Sequence, residues 1–168
     1  MDKKTQLRIN AKNIRKELDI KLISRKLCIK MRCTDFYNTA KHVMLFYPLK
    51  YEIDTRELLD DDKKFYFPKV EGKNLLVCPY TSEFVISEYN IYEPCSMPVN
   101  PEILDLIVVP ALFVDKNNFR LGYGGGFYDR FLKKYNNIIS VSLLPAECCI
   151  QELPHDKFDI PVKYVICI

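Results

Sequence analysis

The sequence predicts an α/β fold: a single domain over residues 1–168, with a mainly parallel central sheet flanked by helices in a Rossmann-like three-layer arrangement. Three observations lead there. Short apolar runs that suit strands alternate with stretches whose apolar residues recur at helical spacing. One of those runs, Leu-Ile-Val-Val at 106–109, is continuously apolar, as strands buried on both sheet faces are. The chain of 168 residues, 48% hydrophobic and 28% charged, is long enough to bury about two-thirds of its unfolded surface around one core.

The N-terminal segment reads as helix. Leu7, Ile14 and Leu18 are spaced by seven and four, and Leu22, Ile23, Leu27 and Met31 continue the stripe past Asp19. Strands are expected at 42–47, where HVMLFY ends at Pro48, and at 65–70 and 75–78. Between the first two, Asp54 is a candidate N-cap for a helix over 55–62. After the 106–109 run, a helix over 127–135 carries Phe127, Tyr128, Phe131, Leu132 and Tyr135 on one stripe. Lys133 and Lys134 stand near its C-terminal end, where the helix dipole favours cations. Residues 138–143 and 164–168 supply two more strands, and no repeat or low-complexity linker divides the chain.

Composition excludes several classes of function. No apolar run approaches the roughly 18 residues of a transmembrane helix and no N-terminal apolar segment marks a signal peptide, so no membrane partner is expected. The seven cysteines are odd in number, form no C-x-x-C pair and include the adjacent Cys148 and Cys149. That pattern suits reduced thiols in a cytoplasmic protein, with mitochondrial residence left open, rather than a zinc site or a disulfide framework. Residues 1–32 hold eleven Lys/Arg against three acids, while 33–168 hold fourteen against nineteen. Nucleic-acid binding is the sharp reading of such a basic segment. The excess is modest and lacks aromatic interleaving, so the solvated face of two packed helices is favoured; the expectation is a monomer without a nucleic-acid partner.

Glycine usage singles out one loop. Four of the five glycines (Gly122, Gly124, Gly125 and Gly126) lie within five residues. The chain thereby concentrates its conformational freedom where a ligand can approach the backbone. Strand, connection, glycine turn and helix follow in the order LIVVPALFVDKNNFRLGYGGGFYDRFL, from Leu106 to Leu132. This order suits phosphate, because a helix N-terminus offers unpaired N–H groups and partial positive charge. Arg120 would add a charge-assisted fork to the same anion, and Asp129 would hold Mg²⁺ against the phosphates. The loop matches neither G-x-x-x-x-G-K-[ST] nor G-x-G-x-x-G, since Phe127 stands where the third glycine would be. The alternative is a tight connection in which Arg120 and Asp129 merely pair; the anion site is the favoured reading.

Other polar residues carry weaker signals. Glu52 and Asp54 follow the strand ended by Pro48 and either face the crevice at the strand ends or serve as a solvated acid and a helix cap. Lys4 and Arg8 are four apart and share one helix face. His42 and His155 have no partner spacing for nucleophilic or metal chemistry, and Cys148–Cys149 reads as a buried pair of small apolar side chains.

At the glycine loop the sequence resembles a known family. DLIVVPALFVDKNNFRLGYGGGFYDRFL is similar to the signature of the 5-formyltetrahydrofolate cyclo-ligase (5,10-methenyltetrahydrofolate synthetase) family, and the likeness extends along the whole chain. Lys4-x-x-Leu7-Arg8 resembles the family's opening, FYPLKYEIDT at 46–55 its substrate segment, NIYEP at 90–94 its I-x-EP segment, and LP…D…V…IC its closing stretch. The resemblance implies conversion of 5-formyltetrahydrofolate with MgATP to 5,10-methenyltetrahydrofolate, ADP and phosphate, through phosphorylation of the formyl oxygen and ring closure by N10. A non-catalytic nucleotide- or folate-binding paralogue is the alternative. Such chemistry needs cations and N–H groups around phosphate rather than a nucleophilic side chain.

Carried over by position, the resemblance implies that ATP meets Lys4, Arg8, Arg120, Leu121, Gly122, Tyr123, Gly124, Gly125, Gly126, Phe127 and Tyr128. Tyr47, Glu52 and Tyr89 would face the folate, with Tyr123 and Phe127 near the junction of the two ligands. Arg120, Tyr123 and Asp129 would act on the reacting groups, and Asp129 and Asp159 would hold magnesium. Departures from the family pattern fall at Ala111, at Phe113 and Val114, at Phe127 where tyrosine is common, at Cys148 where glutamine is usual, and at the closing Cys167 and Ile168. The basic N-terminal helices would also favour substrate bearing an acidic glutamate tail.

Overall fold

The computed structural model describes residues 2–168. Two amphipathic helices open it, α1 (Lys3–Lys16) and α2 (Ile20–Arg32). Aspartates set where each begins: the Asp2 and Asp19 carboxylates accept from the backbone N–H groups of Thr5 and Leu22, donors that a helix start leaves unpaired. Asp19 thereby divides the continuous apolar stripe into two helices. A short helix α3 (Asp35–Thr39) leads into β1 (His42–Met44), then the hairpin β2 (Lys64–Glu71) and β3 (Asn74–Pro79). A second hairpin joins β4 (Phe84–Ile86) to β5 (Tyr92–Pro94). Next come β6 (Leu106–Val108), β7 (Phe113–Asp115), β8 (Arg120–Leu121), α4 (Phe127–Lys134), β9 (Ile139–Leu144), β10 (Cys149–Ile150) and β11 (Tyr164–Cys167).

Six strands form the central sheet in the order β11-β9-β6-β1-β2-β3, parallel at every junction except the β2–β3 edge. Alternation sends Val43, Phe65, Leu106, Val108 and Val141 to one face, beneath Leu27 and Met31 of α2 and Tyr37 of α3. Met44, Tyr66, Ile107 and Val109 face the other way, against Phe131 and Leu132 of α4. Helices therefore cover both faces, which is why the β6 run is apolar without interruption. α1 packs elsewhere: its Ala11 joins Leu112, Phe113, Val114 and Leu121 around the small sheet β10-β7-β8.

Connectivity reverses at β1. From it the chain first builds outward through β2 and β3, then returns to lay β6, β9 and β11 on its other side. The crevice beyond the carboxyl ends of β1 and β6 is thus the topological switch point, where α/β sheets hold ligands.

Several local expectations change. The helix expected over 55–62 is a 3₁₀ turn, Arg56–Asp60, and Asp54 does not cap it. The Asp54 carboxylate instead binds the Arg56 guanidinium and amide, a local fork that keeps the segment from winding into α-helix. β1 is shorter than 42–47, its last residues running on toward the crevice. β4, β5, β7, β8 and β10 have two or three residues each, too few for a period of two to show in sequence. The reduced-thiol expectation fails for one pair. Cys149 and Cys167 form a disulfide, because the Ala146–Cys148 turn folds over the end of β11, where the Ala146 amide donates to the Ile168 carbonyl. Among the described residues, no helix is long and apolar enough to cross a membrane.

Candidate active site

A cavity of about 350 Å³ opens at this switch point. The chain beyond β1 supplies Tyr47 and Glu52, the end of β2 supplies Pro68 and Val70, and the residue after β6 and β7's approach supplies Pro110. Opposite them stand the glycine loop and the first turn of α4, through Gly122, Tyr123, Gly125, Phe127, Tyr128 and Asp129. Tyr89, Ile91 and Glu93 close the far end.

The loop is built around arginines. Gly124 has φ +105°, and a Cβ there would lie 3.3 Å from the Arg8 guanidinium. Gly126 opens α4 with φ +65°. Only glycine takes both positions without strain. From α1, Arg8 donates through Nε to the Gly122 carbonyl at 2.9 Å, docking that helix against the loop and leaving its terminal nitrogens available. From α4, Arg130 donates to the carbonyls of Gly125 at 2.9 Å and Lys73 at 2.8 Å. Carbonyls are therefore tied back, while among the described residues no protein acceptor receives the amides of 122–126. α4 likewise has no side-chain cap on its first amides. A row of free N–H groups beside cations is what an anion needs.

Arg120 and Asp129 do pair, at 3.1 Å, and the Arg120 side chain is only 4% exposed. Arg120 also donates to the Ile160 carbonyl at 2.6 Å, and the Ile160 amide donates to the same Asp129 oxygen at 3.0 Å. This three-way lock fixes Asp129 beside the segment carrying Asp159. Asp159 receives Lys4 Nζ at 2.5 Å, with Asp156 at 3.6 Å from the same nitrogen. Burial works against the Lys4 charge, but the two carboxylates outweigh it and hold its pKa above the usual lysine value. The pairing reading and the anion reading are thus compatible, since both Arg120 and Asp129 line the cavity while bonded to each other.

Glu52 is 5% exposed and receives the Leu49 amide at 2.6 Å on Oε2, while its Oε1 is buried without a partner. Burial pushes its pKa above the ordinary 4.5, against the opposing pull of the Leu49 amide, the Tyr123 hydroxyl and Arg15. Burial and the Glu52 charge in turn push the Tyr123 and Tyr128 hydroxyls up, so both stay protonated donors. Tyr47 is held by Arg56, which donates to its hydroxyl at 2.9 Å and lies over its ring. Tyr89 meets Phe127 edge-on, ring centroids 5.6 Å apart.

Of the residues singled out in sequence, Tyr47, Glu52, Tyr89, Arg120, Gly122, Tyr123, Gly125, Phe127, Tyr128 and Asp129 line the cavity. Lys4, Arg8, Gly124, Gly126 and Asp159 stand behind or beside that lining through the contacts above. Leu121 is core, 3% exposed, and presents backbone alone. The departure at Cys148 falls outside the cavity: it is fully buried beside Leu112 and Leu144 in the α1 cluster, where burial raises its thiol pKa. Sequence reasoning missed Arg15, Glu93 and Arg130. Arg15 is 2% exposed and ties α1 to the Ala111 and Leu112 carbonyls just past β6. It lies seven residues after Arg8 on the same helix face, the one signal that could have found it among so many cations.

Known proteins of one family resemble this chain in sequence and fold. The profile of the 5-formyltetrahydrofolate cyclo-ligase family matches residues 1–167. The chain is similar to the 5-formyltetrahydrofolate cyclo-ligase of Escherichia coli K12, 31% identical over 142 residues that cover 76% of this chain and 78% of that one. It is also similar to the mitochondrial enzyme of that name from Arabidopsis thaliana, 33% identical over 109 residues, 51% of this chain and 39% of that one. The solved structure of Aquifex aeolicus 5,10-methenyltetrahydrofolate synthetase superposes with a TM-score of 0.85 at 29% identity, covering 98% of this chain and 89% of that one. That of the Mycoplasma pneumoniae synthetase shares the fold, with a TM-score of 0.79 at 19% identity and 98% of each chain covered. With its profile match running almost end to end and a relative 31% identical over three-quarters of its length, the chain is an enzyme of the 5-formyltetrahydrofolate cyclo-ligase family.

Proposed function

We propose that the enzyme converts 5-formyltetrahydrofolate and ATP to 5,10-methenyltetrahydrofolate, ADP and inorganic phosphate, acting as a cytosolic monomer. The observation that carries this reading is the division of one cavity into a cation-and-amide wall and a wall of carboxylates and aromatic rings. ATP lies with its phosphates on the free amides of 122–126, between Arg8 and Arg120. The folate lies between Tyr47, Tyr89 and Glu52, with its formyl group toward Tyr123.

The formyl oxygen attacks the γ-phosphorus, the bond to the bridging oxygen breaks, and ADP leaves. N10 then attacks the activated formyl carbon, loses its proton, and expels phosphate as the ring closes. The protein's part is positioning and charge neutralisation. Arg120 balances the developing phosphoryl charge without moving, because Asp129 and the Ile160 carbonyl already hold it. Protonated Tyr123 donates toward the junction of the two ligands. Glu52, desolvated and with Oε1 lacking a partner, is the group placed to take the N10 proton.

Asp129 and Asp159 fit a magnesium ion shared with phosphate. Both hydrogen bonds to Asp129 fall on Oδ1, which leaves Oδ2 as a ligand, and the Ile160 amide brings Asp159 alongside. Two carboxylates are what Mg²⁺ takes when phosphates and water complete its shell. Such an ion would draw charge from the β- and γ-phosphate oxygens, while Lys4 balances Asp159 in its absence. The test is spectroscopic: purified protein, 5-formyltetrahydrofolate and MgATP are mixed and methenyl absorbance is followed, omitting ATP and then magnesium. Product that requires all components is expected. ATP or folate binding without product would overturn the reading in favour of a binding paralogue.

A further inference from the structure

Glu93 has no role in the chemistry above, yet its placement calls for one. It sits on β5, is 4% exposed and lines the far end of the cavity with Pro68, Val70, Leu75, Tyr89 and Ile91. A carboxylate in such apolar surroundings is costly unless donors reach it. Among the described residues it has no cationic partner, and its sole hydrogen bond is on Oε1, from the Val70 amide at 3.0 Å. Oε2 receives no hydrogen bond from the described residues.

The sheet explains why Oε1 is fixed. β2 runs beyond the end of β1, whose pairing stops at Met44↔Tyr66. Residues 66, 68 and 70 direct their backbone groups to the β1 side, as the bond from the Leu45 amide to the Tyr66 carbonyl shows. Pro68 has no N–H to leave unpaired, and the Val70 N–H is taken by Glu93. Oε1 is thereby held by a strand of the central sheet, and Oε2 is an acceptor without a protein donor among the described residues, on a side chain that lines the cavity together with Tyr89. The site has one carboxylate held by a backbone amide, no cation bonded to it among the described residues, and an apolar lining from Pro68, Val70, Leu75 and Ile91. Its complement is the edge of a planar heterocycle that presents N–H donors.

We propose that Glu93 recognises the donor edge of the pterin ring, the 2-amino group and N3–H, and so sets the orientation and specificity of the folate; this rests on the folate reading of the cavity. Glu52, against Tyr123 and the glycine loop, serves the reacting end, and Glu93 anchors the opposite end.

The test compares 5-formyltetrahydrofolate with its 2-desamino-2-methyl counterpart in wild type and Glu93→Gln, measuring KM for each folate, KM for ATP, kcat and melting temperature. Wild type should prefer the natural substrate by about 10- to 100-fold in kcat/KM, the range for losing a hydrogen bond to a charged acceptor. Glu93→Gln should abolish most of that preference by raising KM for the natural folate, with KM for ATP within about twofold and little change for the analogue. A wild type that uses both folates equally overturns the proposal whatever the variant does, and so does a Glu93→Gln protein that loses both folates by the same factor. Methenyl product from both folates by such a wild type would leave the reaction assignment standing. Failure of wild type to bind or convert either folate would remove the reaction assignment and this proposal together.

Discussion

The two walls of the cavity are built on opposite principles. The glycine-loop wall is rich in cations whose anionic or carbonyl partners are already in place: Arg120 on Asp129, Arg8 on the Gly122 carbonyl, Lys4 on Asp159. The opposite wall buries two carboxylates, Glu52 and Glu93, with no cation bonded to either among the described residues. The first wall is satisfied before substrate arrives and offers amides and spare guanidinium nitrogens. The second is left short of donors. Under the proposed function, the first wall is preorganised for charge that develops during reaction, and the second spends stability to define what binds, gaining its donors from the folate.

Arg120→Ala should break this contrast most severely. It removes a 4%-exposed cation with two hydrogen bonds and leaves Asp129 without its partner, so kcat should fall by about 100- to 1,000-fold, as steady-state turnover would show. Asp129→Asn should come next, shifting the magnesium concentration needed for half-maximal rate upward by about tenfold, with a lower melting temperature as well because the buried Arg120 loses its counter-charge. An unchanged magnesium titration would remove Asp129 from the proposed metal site.

Glu52→Gln separates function from stability on the other wall. The folded protein raises the pKa of Glu52 above 4.5, so folding favours its protonated form; ionisation in the unfolded chain erodes stability as pH rises from about 4.5 through the folded value. Glu52→Gln should therefore melt higher than wild type at pH 7, lose that advantage below pH 4.5, and turn over more slowly at every pH. A lower melting temperature at pH 7 would contradict the desolvation argument.

Asp61→Asn is a control with the smallest effect on the site. Asp61 binds Arg32 and Tyr37, none of which lines the cavity, and although burial opposes its charge, those two partners hold its pKa below 3.8. Its stabilising share is present above 3.8 and is lost as pH falls through the folded value. The variant should melt a few degrees lower at neutral pH, with both KM values unchanged.

How much of this was legible in sequence depends on range. The β6 run, the α4 stripe and the glycine cluster are local patterns, and each emerged where expected. The split at Asp19 is also local, a capping aspartate inside a continuous stripe. What stayed hidden depends on tertiary contact. Glu93 stands in the NIYEP segment but drew no role there, because its bond to the Val70 amide depends on β2 outrunning β1, which no sequence spacing states. Arg15 is buried by the turn past β6, 96 residues away, and looked like one more surface cation. Arg120 and Asp129 were weighed as a mere pair or as an anion site, a choice that dissolved because the pair itself forms part of the cavity wall. The Cys149–Cys167 bridge depends on the Ala146–Cys148 turn folding over the end of β11, which cysteine spacing does not encode.

The central claim, that the two walls serve different substrates, is tested most directly by measuring both KM values in Arg8→Ala and Tyr89→Ala. Among the described residues the Arg8 side chain hydrogen-bonds only to the glycine loop, and Tyr89 is 45% exposed at the carboxylate end, so neither change should prevent folding. The account predicts that Arg8→Ala raises KM for ATP by about tenfold with KM for 5-formyltetrahydrofolate within about twofold, and that Tyr89→Ala does the reverse. Both variants weakening both substrates alike would contradict it.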